Sequence, residues 1–506
     1  MPRISRVNIE GSDLRRFAKF GPAKRRSSGG SRLRLSEMLG LSGLSGEGAF
    51  RFWVLAAFVA MVFAMGGGSR DDIISLVILR PACALFAAYA LTVAKPGDLA
   101  PLRVPILLLL ALGGWMLVQL VPLPHAVWSV LPGRAAIAAN DQLAGLGDIW
   151  RPITLSPAKT MNSLGSLVVP ITGLLLYGIQ RDAHRHRILP MLLVAACASA
   201  LLGVAQKALG GPLYFYTWTN FGEAVGLFAN RNHNAVFLAT TLLIGGYLFS
   251  ELRRLQTGGA ASIKPMLIAG ACLLVISMLL VNGSRAGLLI GMLAIGLAVA
   301  LYMAGGQRLH ESHHRGGGTL RTWLPVAGVV LISMVGAAVI FTNAASFDRL
   351  VTLSIAEESR TQVFPQIVAM AKDNWFLGAG FGSFEHVYRQ YELSQFLRED
   401  YLNNAHDDWL QWIIEGGLPA ILIALGFAVW LVRRTLEHWR VRANNAPRTQ
   451  MAATALGVLL LLLLASALDY PLRVPSLMLY AMLMVALVAD PPEPTGKKAA
   501  RRHGGN

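Results

Sequence analysis

Residues 265–304 read PMLIAGACLLVISMLLVNGSRAGLLIGMLAIGLAVALYMA. Two apolar runs, 265–281 and 285–304, are joined by the turn Asn282-Gly283-Ser284, and Arg285 opens the second run. A bilayer core takes about 20 mostly apolar residues per helix. Each run is therefore long enough to cross, and the turn reverses the chain at one membrane face. Runs of the same kind recur on both sides, at 50–66, 73–94, 104–121, 164–180, 187–209, 232–250, 324–342, 412–432, 452–468 and 474–489. With the opening hairpin they make twelve spans, the pattern of an all-α polytopic integral membrane protein.

Composition agrees. The 506-residue chain is 54% hydrophobic and 14% charged, against roughly 25% charged in an average soluble domain, and its mean hydropathy is +0.51. Disorder, a fibrous chain and an ordinary cytosolic enzyme are excluded. The net charge of +17 would suggest nucleic acid in a soluble protein, but in a membrane protein basic excess marks the loops left in the cytoplasm. The partner it implies is the lipid bilayer, with no nucleic acid.

Alternation places 95–103, 181–187, 251–264, 305–321 and 433–448 on the side of both termini, and every one of these stretches is basic. The opposite side holds the longest connection, whose residues 343–408 carry ten acids against five bases. Both termini are thus expected in the cytoplasm and the acidic loop outside. The expected division is 1–49 as a disordered basic tail, 50–342 as spans one to nine, 343–411 as a large, partly helical external loop, 412–489 as spans ten to twelve, and 490–506 as a second basic tail. A 49-residue tail is too long for a signal-peptide n-region, so no cleavage is expected. Cys83, Cys197 and Cys272 sit singly in apolar runs and read as core residues, neither disulfides nor a metal site.

Polar clusters beside apolar spans need a reason, and four lie on the external side. Asn230-Arg231-Asn232-His233-Asn234 opens span six; Asn residues there can cap the helix, but capping leaves Arg231 and His233 unexplained. Asn282-Gly283-Ser284-Arg285 is either a tight turn or part of a site. In Asn403-Asn404-Ala405-His406-Asp407-Asp408-Trp409, continuing to Gln411 and Glu415, an Asn is expected to cap a helix beginning near His406. Asp408, Gln411 and Glu415 then share one helix face. Asp469-Tyr470-Pro471-Leu472-Arg473 reads as a turn with a local ion pair or as a further part of the site.

Guanidinium forks match phosphate oxygens, so Arg231 and Arg285, with Arg360 as a third candidate and His233 beside them, suit a diphosphate. A His with nearby carboxylates suits activation of a sugar hydroxyl; here the candidates are His406 and Asp407, with Glu415 and Asp469 as further candidate members of the site. Arg80, next to Pro81 within span two, either joins this site or snorkels to the interface. On a membrane side without nucleotide sugars or ATP, the substrate must bring its own leaving group, and a polyprenyl diphosphate fits.

These residues resemble the O-antigen ligase and O-antigen polymerase superfamily of bacterial envelope glycan enzymes. Gly226-Leu227-Phe228-Ala229-Asn230-Arg231-Asn232-His233-Asn234-Ala235 is similar to its G-x-F-x-N-R-N-H-x-A segment, and Ser284-Arg285-Ala286-Gly287 to its S-R-x-G turn. Residues 374–382, ending Gly378-Ala379-Gly380-Phe381-Gly382, resemble its glycine-rich loop segment, and Ala405-His406-Asp407-Asp408-Trp409-Leu410-Gln411 with Glu415-Gly416-Gly417 resembles its H-N-x-x-L-Q and E-x-G motif. The likeness runs from about Trp218 to Pro419, and the order and spacing of the motifs are more specific than any one of them.

The resemblance implies a glycosyltransferase-C-like fold and an inverting, metal-independent glycosyltransferase without cofactor, in the bacterial inner membrane with its site facing the periplasm. It also implies a glycan donor on polyprenyl (undecaprenyl) diphosphate and an acceptor sugar, on the lipid A core or on a lipid-linked repeat unit. Arg231 and Arg285 would hold the donor diphosphate, and His406 would stand near the acceptor hydroxyl. Two positions depart from the family pattern. Asp407 replaces the usual Asn, so this carboxylate orients His406, acts as base itself, or is incidental; Glu223 stands where members often carry Arg. A lipid-linked glycan flippase or transporter is the alternative, but it would place its charges near mid-membrane rather than gather them at one face.

Overall fold

The structure is a computed structural model that describes residues 46–255, 263–310, 355–396, 402–441 and 447–492. Among the described residues ten helical segments are long and apolar enough to cross a membrane, and Pro475–Ala489 is a shorter apolar helix. In chain order the helices used below are α1 Glu47–Met65, α2 Leu76–Val93, α3 Arg103–Gln119, α4 Pro157–Ser166, α5 Val168–Gly178, α6 Ile188–Leu209, α7 Arg231–Leu255, α8 Lys264–Asn282, α9 Arg285–His310, α10 Ile355–Asn374, α11 Asp408–Val441, α12 Pro447–Ala465 and α13 Pro475–Ala489. They fall on eleven of the twelve expected spans, with α4 and α5 forming one span, Pro157–Gly178. The protein is an all-α polytopic membrane protein. The expected span at 324–342, the start of the long loop and most of both tails lie outside the described residues.

Helix α13 is apolar all round and buried at nearly every position, from Pro475 to Ala489. Such a helix belongs at the centre of a bundle. Its 15 residues reach only about 22 Å at 1.5 Å per residue, short of a bilayer core of about 30 Å. The turn before it is consequently set into the protein, and Ser466, Asp469, Tyr470 and Val474 are all buried.

The ends of the helices sort into two faces. At one, Arg51 donates to the Ile179 carbonyl at 3.2 Å, Arg185 pairs with Asp490 at 2.6 Å and Arg448 with Asp182 at 2.7 Å. At the other, the starts of α7, α9 and α11 and the turn into α13 meet. There the long loop folds on a small core of its own, built from Val363, Ile367 and Met370 of α10 with Phe384, Val387, Tyr388, Ala405 and Ile414. Along α10 the apolar positions Val363, Ile367 and Met370 are buried and Val368 is half-buried, so the helix is amphipathic.

This loop domain is locked to the bundle at a break in α11. Gly417 has φ 61° inside the helix, and Pro419 follows. The break releases the carbonyls of Ile414, Glu415 and Gly416, and buried carbonyls need donors. Ala379 N–H donates to Ile414 (2.8 Å) and Gly380 N–H to Glu415 (3.0 Å). Gln119 Nε2 adds a bond to Glu415 O (2.9 Å), and Trp115 Nε1 one to Gly416 O (2.8 Å). The glycine run at 378–382 is therefore a backbone-packing element. A Cβ on Gly380, whose φ is +101°, would lie 2.0 Å from Thr154 Oγ1. Gly380→Ala is expected to detach the loop and speed limited proteolysis between 355 and 407 in detergent at least several-fold; cleavage at the wild-type rate would refute the packing role.

Arg134 is the second lock. It is 1% exposed and donates to the carbonyls of Ile153 (2.7 Å) and Gly378 (3.0 Å) and to Asn374 Oδ1 (3.1 Å). Burial pushes its guanidinium down to about 10, which still leaves it charged at neutral pH. It joins the loop after α3 to the long loop in a way that no local pattern announces.

Candidate active site

Helices α7 and α9 start side by side. Asn230 Oδ1 accepts the N–H of Asn232 at 2.8 Å, the capping role expected of an Asn there. Buried Asn282, at the end of α8, donates through Nδ2 to the carbonyls of Arg231 (3.0 Å) and Ala224 (2.9 Å). Asn234, also buried, donates to the same Ala224 carbonyl at 2.9 Å. The turn carrying Arg285 is thereby tied to the helix start carrying Arg231. Ser284 caps α9 through Gly287 N–H at 3.2 Å. The turn is tight, and its Arg285 is half-buried.

His406 enters from the long loop with φ 53°, the single positive value among the described non-glycine residues. A side chain in this region costs about 1–3 kcal/mol and persists where surroundings over-determine it. Here Gln411, 1% exposed, accepts Ala405 N–H at 2.8 Å and donates to Asn404 Oδ1 at 3.1 Å, so both residues before His406 are pinned. The imidazole Nδ1 lies 2.9 Å from Asp469 Oδ1. A carboxylate accepts, so the proton sits on Nδ1 and Nε2 is the basic nitrogen.

Asp469 does more than orient the ring. Its second oxygen accepts from Asn232 Nδ2 at 3.2 Å, so one buried carboxylate joins the α7 start to His406. The Tyr470 ring lies between two imidazoles, with centroids 5.0 Å from His233 and 4.8 Å from His406. Asn232, His233, His406, Asp469 and Tyr470 are one cluster drawn from three separate stretches of chain, with Arg231 next to Asn232 in the chain.

The carboxylate beside His406 in the sequence plays another part. Asp407 turns Oδ1 to the N–H groups of Trp409 (2.9 Å) and Leu410 (3.0 Å), capping α11. The helix accordingly begins at Asp408, two residues later than expected, and its cap is Asp407 in place of Asn403 or Asn404. Asp407 thus has one oxygen at the helix end, while Asp469 is the carboxylate on the imidazole. Asp407→Asn, which keeps an acceptor, is expected to behave as wild type. Asp407→Ala should cost about 1 kcal/mol of stability, read as a small fall in the thermal midpoint of the solubilised protein.

Glu415 is fully buried and lies at the back of the site. Its Oε2 accepts from Arg473 at 2.9 Å and its Oε1 from Gln411 at 3.0 Å. Arg473 also reaches Asp408 at 3.2 Å, and Ser466 donates to that carboxylate at 3.1 Å. Burial works against the charge on Arg473, but Glu415 and Asp408 outweigh it and hold the guanidinium above its ordinary value. The local ion pair expected within 469–473 is replaced by longer reaches: Arg473 serves α11, and Asp469 serves His406 and Asn232. Sequence reasoning placed Arg473 in the turn without assigning it this role.

Two further candidates are Arg80 and Arg360. Arg80 is half-buried in α2, donates to the Asn162 carbonyl at 3.2 Å and lines a cavity of about 510 Å³ with Asp71, Ile74 and Val77. Arg360 belongs to α10, in a part whose side chains lie outside the described residues. Glu223, the other departure, pairs with Arg231 at 3.4 Å.

Residues 270–425 match the O-antigen ligase family. A probable peptidoglycan glycosyltransferase FtsW of Halorhodospira halophila is 23% identical over 279 residues, which make up 54% of this chain and 62% of that protein. The chain thus spans less than two thirds of that relative's length. The matched region holds the Ser284-Arg285 turn, the long loop, His406 and Glu415. In this central part the chain is similar to the O-antigen ligase family, which bears out the resemblance carried by its motifs.

Proposed function

We propose that this protein is a membrane glycosyltransferase of the O-antigen ligase and polymerase type, moving a glycan from a polyprenyl diphosphate to an acceptor sugar at the periplasmic face. The observation that carries the reading is the Asp469 bridge. A histidine oriented by a buried carboxylate at 2.9 Å is linked by that carboxylate to Asn232, the chain neighbour of Arg231, which supports a base and a diphosphate-binding cation in one site. The similarity to an O-antigen ligase family, and to a protein named as a glycosyltransferase, supports the same class.

In this mechanism the acceptor hydroxyl oxygen attacks the donor sugar's anomeric carbon as its bond to the diphosphate oxygen breaks. His406 Nε2 takes the hydroxyl proton, and Asp469 stabilises the imidazolium. The bonding electrons leave with the diphosphate, whose charge Arg231 and Arg285 hold. Attack and departure on opposite faces invert the anomeric configuration, and the scheme assigns no step to a metal. Basic short loops support a bacterial inner-membrane protein with both termini in the cytoplasm. Residues 1–49 and 490–506 are then tails, and 343–411 is the periplasmic loop between spans 50–342 and 412–489.

The acceptor is read from what accumulates on deletion. Single repeat units on undecaprenyl diphosphate identify a polymerase, whereas full-length polymer on that lipid identifies a ligase acting on the lipid A core. Unchanged lipid-linked pools would overturn the proposal. Arg285→Ala is expected to reproduce the deletion pattern at wild-type protein levels in the membrane.

A further inference from the structure

The loop between α6 and α7 places an internal anion where the proposed donor needs cations. Lys207, in the last turn of α6, donates from Nζ to the Gly222 carbonyl at 2.7 Å and pairs with Glu223 Oε2 at 3.2 Å. The other oxygen of the same carboxylate faces Arg231 at 3.4 Å. One acidic side chain, 16% exposed, is therefore shared by two cations from two helices. The backbone beyond it is fixed: Ala224 O accepts from Asn234 and Asn282, and Gly226 exchanges hydrogen bonds with Gln206 at 2.7 and 2.9 Å. Gly222, just before, has φ +75°. The side chain of Glu223 can swing away while the loop stays in place. The same loop carries the exposed rings of Phe215, Trp218 and Phe221, as suits a ligand arriving from the lipid interface.

A carboxylate and a phosphate offer Lys and Arg the same kind of anionic oxygen. We infer that Glu223 is an internal stand-in for the donor's phosphate and that Lys207 is a further phosphate-binding residue, engaged beside Arg231 when the lipid diphosphate displaces the carboxylate. This rests on the donor reading above. Displacing a paired carboxylate also favours a multiply charged ligand over a singly charged one, because only the former gains more from the two cations than Glu223 gave up.

The test is equilibrium binding of undecaprenyl diphosphate to the purified full chain in nanodiscs, with thermal midpoints confirming that each variant is folded. Lys207→Met is expected to weaken binding about tenfold, Lys207→Arg to stay within about twofold of wild type, and Glu223→Gln to tighten binding about three- to tenfold. Wild-type affinity in Lys207→Met, or no tightening in Glu223→Gln, overturns the inference; the near-isosteric Glu223→Gln decides alone if Lys207→Met fails to fold. Arg285→Ala separates the two levels. If it loses affinity while the Lys207 and Glu223 variants match wild type, only this inference falls. If Arg285→Ala and wild type bind equally poorly, the donor reading falls and takes the inference with it.

Discussion

His406→Ala is expected to lower glycan transfer by about 10²–10⁴-fold, the range for losing a positioned general base, while the protein inserts and folds normally. Because His406 holds φ 53°, replacing it also changes local strain, and His406→Gly provides the control: glycine accepts this conformation freely. Both variants should lack activity, with the glycine variant at least as stable as the alanine one. Asp469→Asn keeps the shape but offers Nδ1 no carboxylate, so it should lose most of the activity and shift the pH dependence of the remainder. An Asp469→Asn enzyme with the wild-type rate and pH profile would show that the bridge serves packing alone.

The second large effect falls on stability. Glu415→Ala leaves the Arg473 guanidinium facing one carboxylate fewer in a buried setting, and breaking such a pair costs about 3–5 kcal/mol. A strong fall in the thermal midpoint of the solubilised protein is the expected reading. The triple variant Glu415→Leu, Arg473→Met and Asp408→Asn also neutralises the second carboxylate paired with Arg473 and should recover much of that loss, since uncharged replacement of a buried ion pair is often near neutral. Recovery of stability without recovery of activity would assign the pair to holding α11 against the turn into α13. If Glu415→Ala melts like wild type, the pair contributes nothing to the fold.

The spans were legible because each is a continuous apolar run, a signal that needs no partner. Edges were less so. The fourth span begins at Pro157, seven residues before its expected start at 164, because Lys159, Thr160, Asn162 and Ser163 look like loop. Thr160 is in fact buried and donates to the Phe381 carbonyl at 2.8 Å. The motif residues Arg231, Arg285 and His406 could be singled out as charges without an evident structural purpose. Their supports could not. Glu415 and Arg473 lie 58 residues apart, Arg134 and Gly378 244, and Gln119 and Glu415 296. Pairings over such separations depend on which helix ends converge, and a hydropathy pattern carries no information on that. Asp407 and Asp469 show the limit most plainly: the neighbour in sequence caps a helix, while the carboxylate that reaches the imidazole comes from a turn 63 residues on.

The most direct measurement reconstitutes the purified protein with a lipid-linked glycan and a soluble or lipid-bound acceptor, then follows both released undecaprenyl diphosphate and the anomeric configuration of the product. The expected result is release of one diphosphate lipid per glycan joined, with an inverted linkage, abolished in His406→Ala and Arg285→Ala. Undiminished transfer by both variants, or movement of the lipid-linked glycan across the bilayer with its diphosphate bond intact, would contradict it.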